Sequence, residues 1–268
     1  MLKILTIHGS PYKRNTYEVT MEFLKELGNK VETDVEHVFL YQENLGLCRG
    51  CGNCIVIGED SCPNKDRIRE IHLLMLEADA VIIATPIYAL QVTSMVKNFL
   101  ERSAYIMHRP SYFGKWFMSI STQAYSGDKD AAKYLANSMH FLGFNIIPGL
   151  RLTMEPGSEV ISHNNVIKKK IEEAVKEFQN IVMKNKLPIP TMKELMMFRF
   201  RRSVINLTSY KETFPKDVEY FQENDWLKKD YYYDVHLNPL MKVSGRFFDM
   251  LGRRMIKDEN QQKVKVSQ

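Results

Sequence analysis

The sequence predicts an α/β fold: a five-stranded parallel sheet with helices on both faces, followed by a helical C-terminal extension. Three observations carry that reading. The runs Leu2–Ile7 and Ala80–Ile87 (AVIIATPI) are apolar, too short for helices, and without the alternation of a half-exposed strand, so they read as strands buried on both faces. Strand and helix patterns then alternate five times up to residue 186. At Leu187-Pro188-Ile189-Pro190 the alternation stops. That boundary makes 1–186 one domain and 187–268 an appendage.

In order, the first strand breaks at Gly9-Ser10-Pro11. A helical pattern begins near Asn15, with Val19, Phe23 and Leu27 inward and Gly28 placed to end it. Val35–Leu40 (VEHVFL) reads as the second strand. Gly46–Pro63, rich in glycine and cysteine, reads as a loop. Asp66–Glu77 is helical on Ile68, Ile71, Leu74 and Leu76. After the strand Ala80–Ile87 comes a helix over Thr93–Tyr105, with Val96, Phe99 and Leu100 inward. Lys115–Ser121 (KWFMSIS) is the fourth strand and Thr122–Asp128 a polar loop. Asp130–Leu142 is a helix, Asn145–Thr153 the last strand, and Val166–Asn185 a long amphipathic helix. In the extension, Met192–Leu207 and Leu237–Met255 have helical spacing, with the aromatic stretch Phe221–Tyr233 between them. The tail after Lys257 is polar and reads as a fraying end.

The composition excludes several classes. At 268 residues and 44 % hydrophobic, the chain has room for one large domain with a substantial core. No run approaches the roughly 20 apolar residues needed to span a bilayer. The N-terminus lacks a signal peptide's long apolar region, so a cytoplasmic protein is expected. Residues 1–186 hold 22 basic and 21 acidic side chains and residues 187–268 hold 15 and 11. That excess is too small and scattered for nucleic-acid binding.

Loops Gly9–Thr16, Pro86–Thr93 and Thr122–Asp128 fall at the carboxyl edge of the expected sheet, where ligands bind in such folds. They read as one site. A buried strand leading through a polar loop into a helix start suits phosphate, because first-turn N–H groups and the helix dipole both favour an anion. Ser10, Asn15 and Thr16 add short hydrogen-bonding side chains, and Lys13 and Arg14 add charge. The plain alternative is an ordinary turn capped by Asn15 or Thr16. Pro86-Ile87-Tyr88 offers a wall for a planar cofactor, and Thr122-Gln123-Ala124-Tyr125 closes the other side. The plain reading of both tyrosines is exposed turn residues. Lys97 and Arg102 read as solvated or salt-bridged surface residues, and His8 as a packing or loop-capping residue. No Walker lysine, Ser-His-Asp order or zinc-type His-Glu motif is present, and GxGxxG is absent.

All four cysteines lie together as Cys48-x2-Cys51-x2-Cys54-x7-Cys62-Pro63. In a reducing compartment such a cluster points to metal rather than disulfides. Three thiolates at x2 spacing followed by a Cys-Pro match ligand runs of ferredoxin type, and Gly50 and Gly52 let the backbone turn between them. Zinc and four free thiols remain as readings, although zinc ribbons split their ligands into two separated pairs.

On GSPYKRNT at Gly9–Thr16, CRGCGNCIVIGEDSC at Cys48–Cys62, ADAVIIATPIY at Ala78–Tyr88 and QVTSMVKNFLER at Gln91–Arg102, the chain resembles the flavodoxin-like NAD(P)H-dependent FMN reductases. Within them it resembles the iron–sulfur flavoprotein branch, over about residues 1–186. The resemblance implies a flavodoxin-like sheet of order 2-1-3-4-5 that binds FMN. The phosphate would rest on Ser10, Arg14, Asn15 and Thr16. The isoalloxazine would lie against Pro86, Ile87 and Tyr88, with Thr122, Gln123, Ala124 and Tyr125 opposite. Cys48, Cys51, Cys54 and Cys62 would hold a [4Fe–4S] cluster that exchanges electrons with the flavin. Wider relatives carry similar cysteines without a cluster, which keeps the metal-free reading open. The resemblance also implies a homodimer or tetramer with a neighbouring subunit near the flavin. Residues 187–268 exceed the typical family length. A dimerisation arm is the preferred reading. The others are a lid carrying Trp226 or Tyr231–Tyr233, and a basic amphipathic helix on anionic lipid.

The expected function is that of an FMN-dependent oxidoreductase, passing electrons from NADH, NADPH or a ferredoxin-like donor to a small-molecule or protein acceptor. No side chain is assigned as catalytic acid or base, because the flavin carries the chemistry. The rivals are a metal-free reductase of quinones, nitroaromatics or free flavin, a non-enzymatic electron carrier or redox sensor, and a zinc-stabilised interaction module.

Overall fold

The computed structural model describes residues 1–154, 164–184 and 186–266. In chain order the elements are β1 (Leu2–His8), α1 (Asn15–Gly28), β2 (Thr33–Phe39), α2 (Asn53–Val56), α3 (Ile68–Glu77), β3 (Ala80–Pro86), α4 (Ser94–Arg102), α5 (Ala104–His108) and β4 (Trp116–Gln123). There follow α6 (Asp128–Leu142), β5 (Asn145–Ile146), β6 (Leu150–Thr153), α7 (Asn165–Val182), α8 (Met192–Val204), α9 (Thr208–Thr213), α10 (Pro215–Glu223) and α11 (Pro239–Val266). They group into two compact units: Met1–Gly50 with Pro63–Lys186, and Cys51–Cys62 with Leu187–Gln268.

The first unit is a parallel sheet of order β2-β1-β3-β4-β5, with β6 also pairing β4. This is the expected 2-1-3-4-5 order. β3 is buried at every position, which is why its sequence shows no alternation. Successive side chains point to opposite faces. Leu5, Ile7, Val81, Ile83 and Phe117 pack with Ile71, Met75, Val96, Phe99 and Leu135. Ile4, Ile82, Ala84, Met118 and Ile120 pack with Val19, Phe23, Leu27, Ile171, Val175 and Phe178. The register pairs His8 with Phe39 and Ala84, and Pro86 with Thr122. The carboxyl ends of β1, β3 and β4 therefore open on one edge.

Several boundaries differ from the sequence expectation. The last strand is split: β4 pairs Phe117 with Ile146 and then Ile120 with Leu150. Three steps on β4 oppose four on its neighbour, the count of a bulge. Pro148 lies in the extra stretch and lacks a ladder donor. Gly149 lies so close to Ser119 that a Cβ there would meet its Oγ at 2.3 Å. The helix expected over Thr93–Tyr105 divides at Ser103, whose hydroxyl donates to Phe99 O (2.8 Å). The cysteine segment is not all loop; it carries α2 and a 3₁₀ turn at Glu59–Ser61. The expected helix end at Asn185 lies outside the described residues, and α11 continues to Val266 through the tail expected to fray.

In the second unit the aromatic stretch is core rather than lid. Phe198, Phe221, Trp226 and Tyr232 stack edge to face, with centroids 4.6 Å (Phe198–Tyr232), 4.9 Å (Trp226–Tyr232) and 5.1 Å (Phe221–Trp226) apart. Trp226 Nε1 donates to Tyr232 O at 2.9 Å. Trp226 and Tyr231 are buried, which removes them as side chains free to cover a substrate. α8 opens with a capping box of Thr191 and Glu194. It crosses α11 where Gly252 leaves no room for a Cβ beside Ser203. Arg199 and Arg202 both bridge to Asp249 across that crossing. Leu240, Val243, Phe247 and Met250 stay exposed on α11.

His72 is buried between Ser103 Oγ (2.8 Å from Nε2) and the Tyr105 hydroxyl (2.9 Å from Nδ1). Burial first, then the charges of Arg102 and Arg69, lower its pKa to about 3. Unfolded, it takes up a proton near the ordinary histidine value of 6.5. Between those values the unfolded chain binds more protons, so stability falls as pH drops below 6.5. The expected loss from this group between pH 7 and pH 5 is about 2 kcal/mol. Urea denaturation at the two pH values measures it. A His72→Asn variant, weaker at pH 7, should lose less of its remaining stability over that interval.

Candidate functional site

The three loops meet at the carboxyl edge of the sheet in the first unit. The first loop meets the second at Gly9. Its N–H donates to Ala84 O at the end of β3 (2.8 Å), and its carbonyl accepts from Thr93 Oγ1 (2.7 Å). A Cβ on Gly9 would lie 2.2 Å from Val96 Cγ2. Thr93 is the N-cap of α4, its Oγ1 accepting from Val96 N. The residue that caps α4 therefore also pins the first loop.

Beyond Gly9, Ser10 Oγ closes a small turn with the backbone of Tyr12 (3.2 Å). The N-cap of α1 is Arg14, not Asn15 or Thr16, and it makes no side-chain cap bond. The amides of Asn15, Thr16 and Tyr17 consequently have no partner within the helix. The Arg14 guanidinium lies 5.0 Å from the Tyr12 ring centroid, and Lys13 Nζ lies 4.9 Å from that of Phe39. An uncapped helix start beside two cations and a glycine backbone suits a phosphate monoester. Thr16 itself is buried, and its hydroxyl pairs with that of Thr122 at 2.5 Å, tying the first loop to the third.

In the second loop Pro86 is buried, Ile87 half-buried, and Tyr88 56 % exposed. Tyr88 and Gln91 exchange backbone hydrogen bonds at 3.0 Å. The two residues between them, Ala89 and Leu90, have φ of 48° and 65°. Two non-glycine residues in the left-handed region are strained, and the turn they form is of the tight hairpin kind. In the third loop Gly127 has φ 106°, and a Cβ there would meet Leu90 Cα at 2.6 Å. Ile87 N–H donates to Thr122 O (2.9 Å). The Gln123 side chain is engaged within the protein: Oε1 accepts from Asp128 N (3.0 Å) and Nε2 donates to Thr153 Oγ1 (3.1 Å). Ala124 is exposed and Tyr125 is 91 % exposed.

His8 stacks on Phe39 at 4.5 Å, with Nε2 3.2 Å from His37 Nδ1. Burial, then His37 and Lys13, lower its pKa to about 4. It is neutral at pH 7 and serves as packing. Lys97 is a surface residue paired with Glu101 (2.6 Å). Arg102 is not a surface residue: its side chain is 2 % exposed and pairs with Asp66 (2.8 Å). Burial opposes the Asp66 charge, but the Arg102 hydrogen bonds, the Gly46 N–H and the Arg102 charge hold its carboxyl below the usual range. Sequence reading missed Thr93, Asn98 and Asp66. Thr93 and Asp66 left a signal there only as the first residues of helical patterns.

The four cysteines form no disulfide; Cys48 and Cys51 are exposed, Cys54 and Cys62 partly so. Gly50, Gly52 and Gly58 all have positive φ. Four reduced thiols on a glycine-hinged segment have the chemistry of an iron–sulfur ligand set. Among the described residues, no three His, Cys, Asp or Glu side chains converge on a metal position.

A family model described as NADPH-dependent FMN reductase matches residues 2–158. An iron–sulfur flavoprotein of Archaeoglobus fulgidus is 34 % identical over 184 residues, covering 65 % of this chain and 80 % of the relative. One of Clostridioides difficile is 24 % identical over 78 % of this chain and 92 % of its own length. Among solved structures, RosB with a bound 8-demethyl-8-formylriboflavin-5'-phosphate intermediate superposes with a TM-score of 0.55, at 15 % identity, over 89 % of this chain and 92 % of its own. An apo NADH:FMN oxidoreductase, EmoB, gives 0.51 at 19 % identity, over 68 % and 90 %. At these identities the two structures show the fold alone.

The Gly9 approach gives a direct test. Gly9→Ala should cost about 1–3 kcal/mol, as overpacking of a tight core does. In the Gly9→Ala background, Val96→Ala should cost less than it does in the parent, because it removes the obstructing methyl. Urea denaturation of the four proteins in the cycle measures the coupling.

Proposed function

The chain belongs to the NADPH-dependent FMN reductase family, in its iron–sulfur flavoprotein branch, and from that premise we propose how its three loops and four cysteines work. Family membership makes it an FMN-dependent oxidoreductase. The proposed electron source is NAD(P)H or a ferredoxin-like protein, and the acceptor a small molecule or protein reached through a [4Fe–4S] cluster. FMN supplies hydride and single-electron chemistry when bound.

The observation that supports this reading most is the uncapped start of α1 at the edge of the sheet. Ser10, Arg14, Asn15 and Thr16 would hold the phosphate, the last two through first-turn amides. Pro86, Ile87 and Tyr88 would form one wall for the ring, and Thr122, Gln123, Ala124 and Tyr125 the other. The Gln123 and Thr122 side chains, already engaged, shape that wall and leave the loop backbone to face the ring. Cys48, Cys51, Cys54 and Cys62 would be the cluster ligands. In a cytoplasmic setting such thiols stay reduced. No described helix is long and apolar enough to cross a membrane. Residues 187–268 are proposed as a dimerisation arm, with Leu240, Val243, Phe247 and Met250 at 3-4-3 spacing as its seam.

The test is an ultraviolet–visible spectrum of anaerobically purified protein, with iron and sulfide assayed on the same sample. Flavin bands with about four irons per chain are expected for a [4Fe–4S] flavoprotein. Flavin without iron would leave a metal-free reductase, and neither, even after FMN is added, would end the reading. Steady-state NAD(P)H oxidation with a small acceptor separates the enzyme from a pure electron carrier. Tyr88→Ala should weaken FMN binding about tenfold, the worth of one good aromatic contact. Light scattering on a Leu240→Glu, Phe247→Glu double variant tests the arm: a parent dimer or tetramer should dissociate while the flavin spectrum persists.

A further inference from the structure

The cysteine segment begins and ends on one helix. Its entry stretch Leu45–Cys48 and its exit Asn64–Asp66 are both bonded to side chains of α4 or to each other, all within the first unit. Arg102 Nη1 donates to Gly46 O (2.7 Å) and Asp66 Oδ2 (2.8 Å), and Nη2 donates to Asp66 Oδ1 (2.9 Å). Gly46 N–H donates back to Asp66 Oδ2 (2.9 Å). Asn98 Nδ2 donates to Gly46 O (3.2 Å) and Leu45 O (3.4 Å), and its Oδ1 accepts the Cys48 N–H (3.0 Å). Asn64 Nδ2 donates to Leu47 O (2.8 Å).

Fold stability alone does not call for this arrangement. Buried ion pairs are commonly neutral or worse against an apolar replacement. A bidentate guanidinium fork instead fixes geometry. Asn98 moreover takes the backbone N–H of Cys48 itself, a donor that would otherwise be available to a nearby sulfur, and such bonds set the properties of thiolate ligands.

We propose that Asn98, Arg102 and Asp66 are positioning residues for the cysteine segment, fixing both of its stems on α4 and orienting Cys48 through its backbone N–H as a metal ligand. The proposal rests on the cluster reading given above. Because α4 is capped by Thr93, which holds Gly9 of the flavin loop, one rigid element carries both the clamp and a fastening of the proposed phosphate loop.

The test uses the full chain with Asn98→Ala, Arg102→Met and Arg102→Lys, and Glu101→Gln on the exposed side of α4 as the control. Three quantities are read: FMN affinity, iron retained against a chelator after anaerobic reconstitution, and the rate of Cys48 alkylation by iodoacetamide at one fixed pH in the metal-free protein. Asn98→Ala and Arg102→Met should lose iron about 10–100-fold faster, the usual effect of removing an outer-shell partner. FMN affinity should stay within about twofold, since the clamp does not touch the flavin loops. Cys48 should alkylate faster in both variants, because its stem is no longer held to α4. Arg102→Lys should not rescue, because one ammonium cannot replace the fork. Parent-like iron retention and alkylation rates in Asn98→Ala and Arg102→Met would overturn the proposal. Should Arg102→Met fail to fold, Asn98→Ala carries the same decision. If the parent takes up no iron, the cluster reading falls, and an unchanged alkylation rate would then also sink the clamp.

Discussion

The close approach at Gly9 is the constraint on which the site depends. β1 delivers the chain to the sheet edge directly beside the end of β3, and one backbone hydrogen bond to Ala84 holds it there. α4 starts at the same point, with Val96 filling the space a side chain on residue 9 would need. No other residue type lets backbone, capping threonine and core valine come together so tightly. From that contact follow the direction of the first loop, the start of α1 and the placing of α4. The pairing of Thr16 with Thr122 and of Gly127 with Leu90 then locks the third loop to the other two.

The electrostatics of this edge are those of a holder rather than of a proton-transfer site. The two histidines beside the first loop, His8 and His37, both have lowered pKa values, with burial the largest cause. They stay neutral beside Lys13, whose charge rests over Phe39 and Tyr17. The charge at the start of α1 thus comes from its amides, Lys13 and Arg14, with Glu18 in the first turn opposing them. A reaction run by a bound redox group needs orientation and fixed charge from its protein, and this edge supplies both.

Much of this was legible in sequence. The apolar runs at Leu2–Ile7 and Ala80–Ile87 gave the buried strands because burial on both faces erases alternation. The loop positions followed from strand order. What sequence could not show was partnership at long range. Arg102 reads as a surface cation because nothing local marks Asp66, 36 positions away, as its partner. Gln123 reads as a ligand because its bonds to Asp128 and Thr153 depend on how the bulged strand returns to β4. The bulge itself, at Pro148-Gly149, was masked by flanking residues that all suit a strand. Trp226 and Tyr231 suggested a lid because aromatic side chains in a polar stretch look exposed until a second core is seen to enclose them.

The pinning of Gly46 and Asp66 to a single guanidinium has an evolutionary consequence. It makes the stretch between them a cassette whose ends are fixed independently of its contents. Closing a longer loop between fixed ends costs only about 0.6 kcal/mol for each doubling of length. Insertions, deletions or changed cysteine spacing inside the cassette need not disturb the sheet register or the flavin edge. A lineage could therefore gain, lose or exchange a metal centre here while its flavin chemistry stays under separate selection.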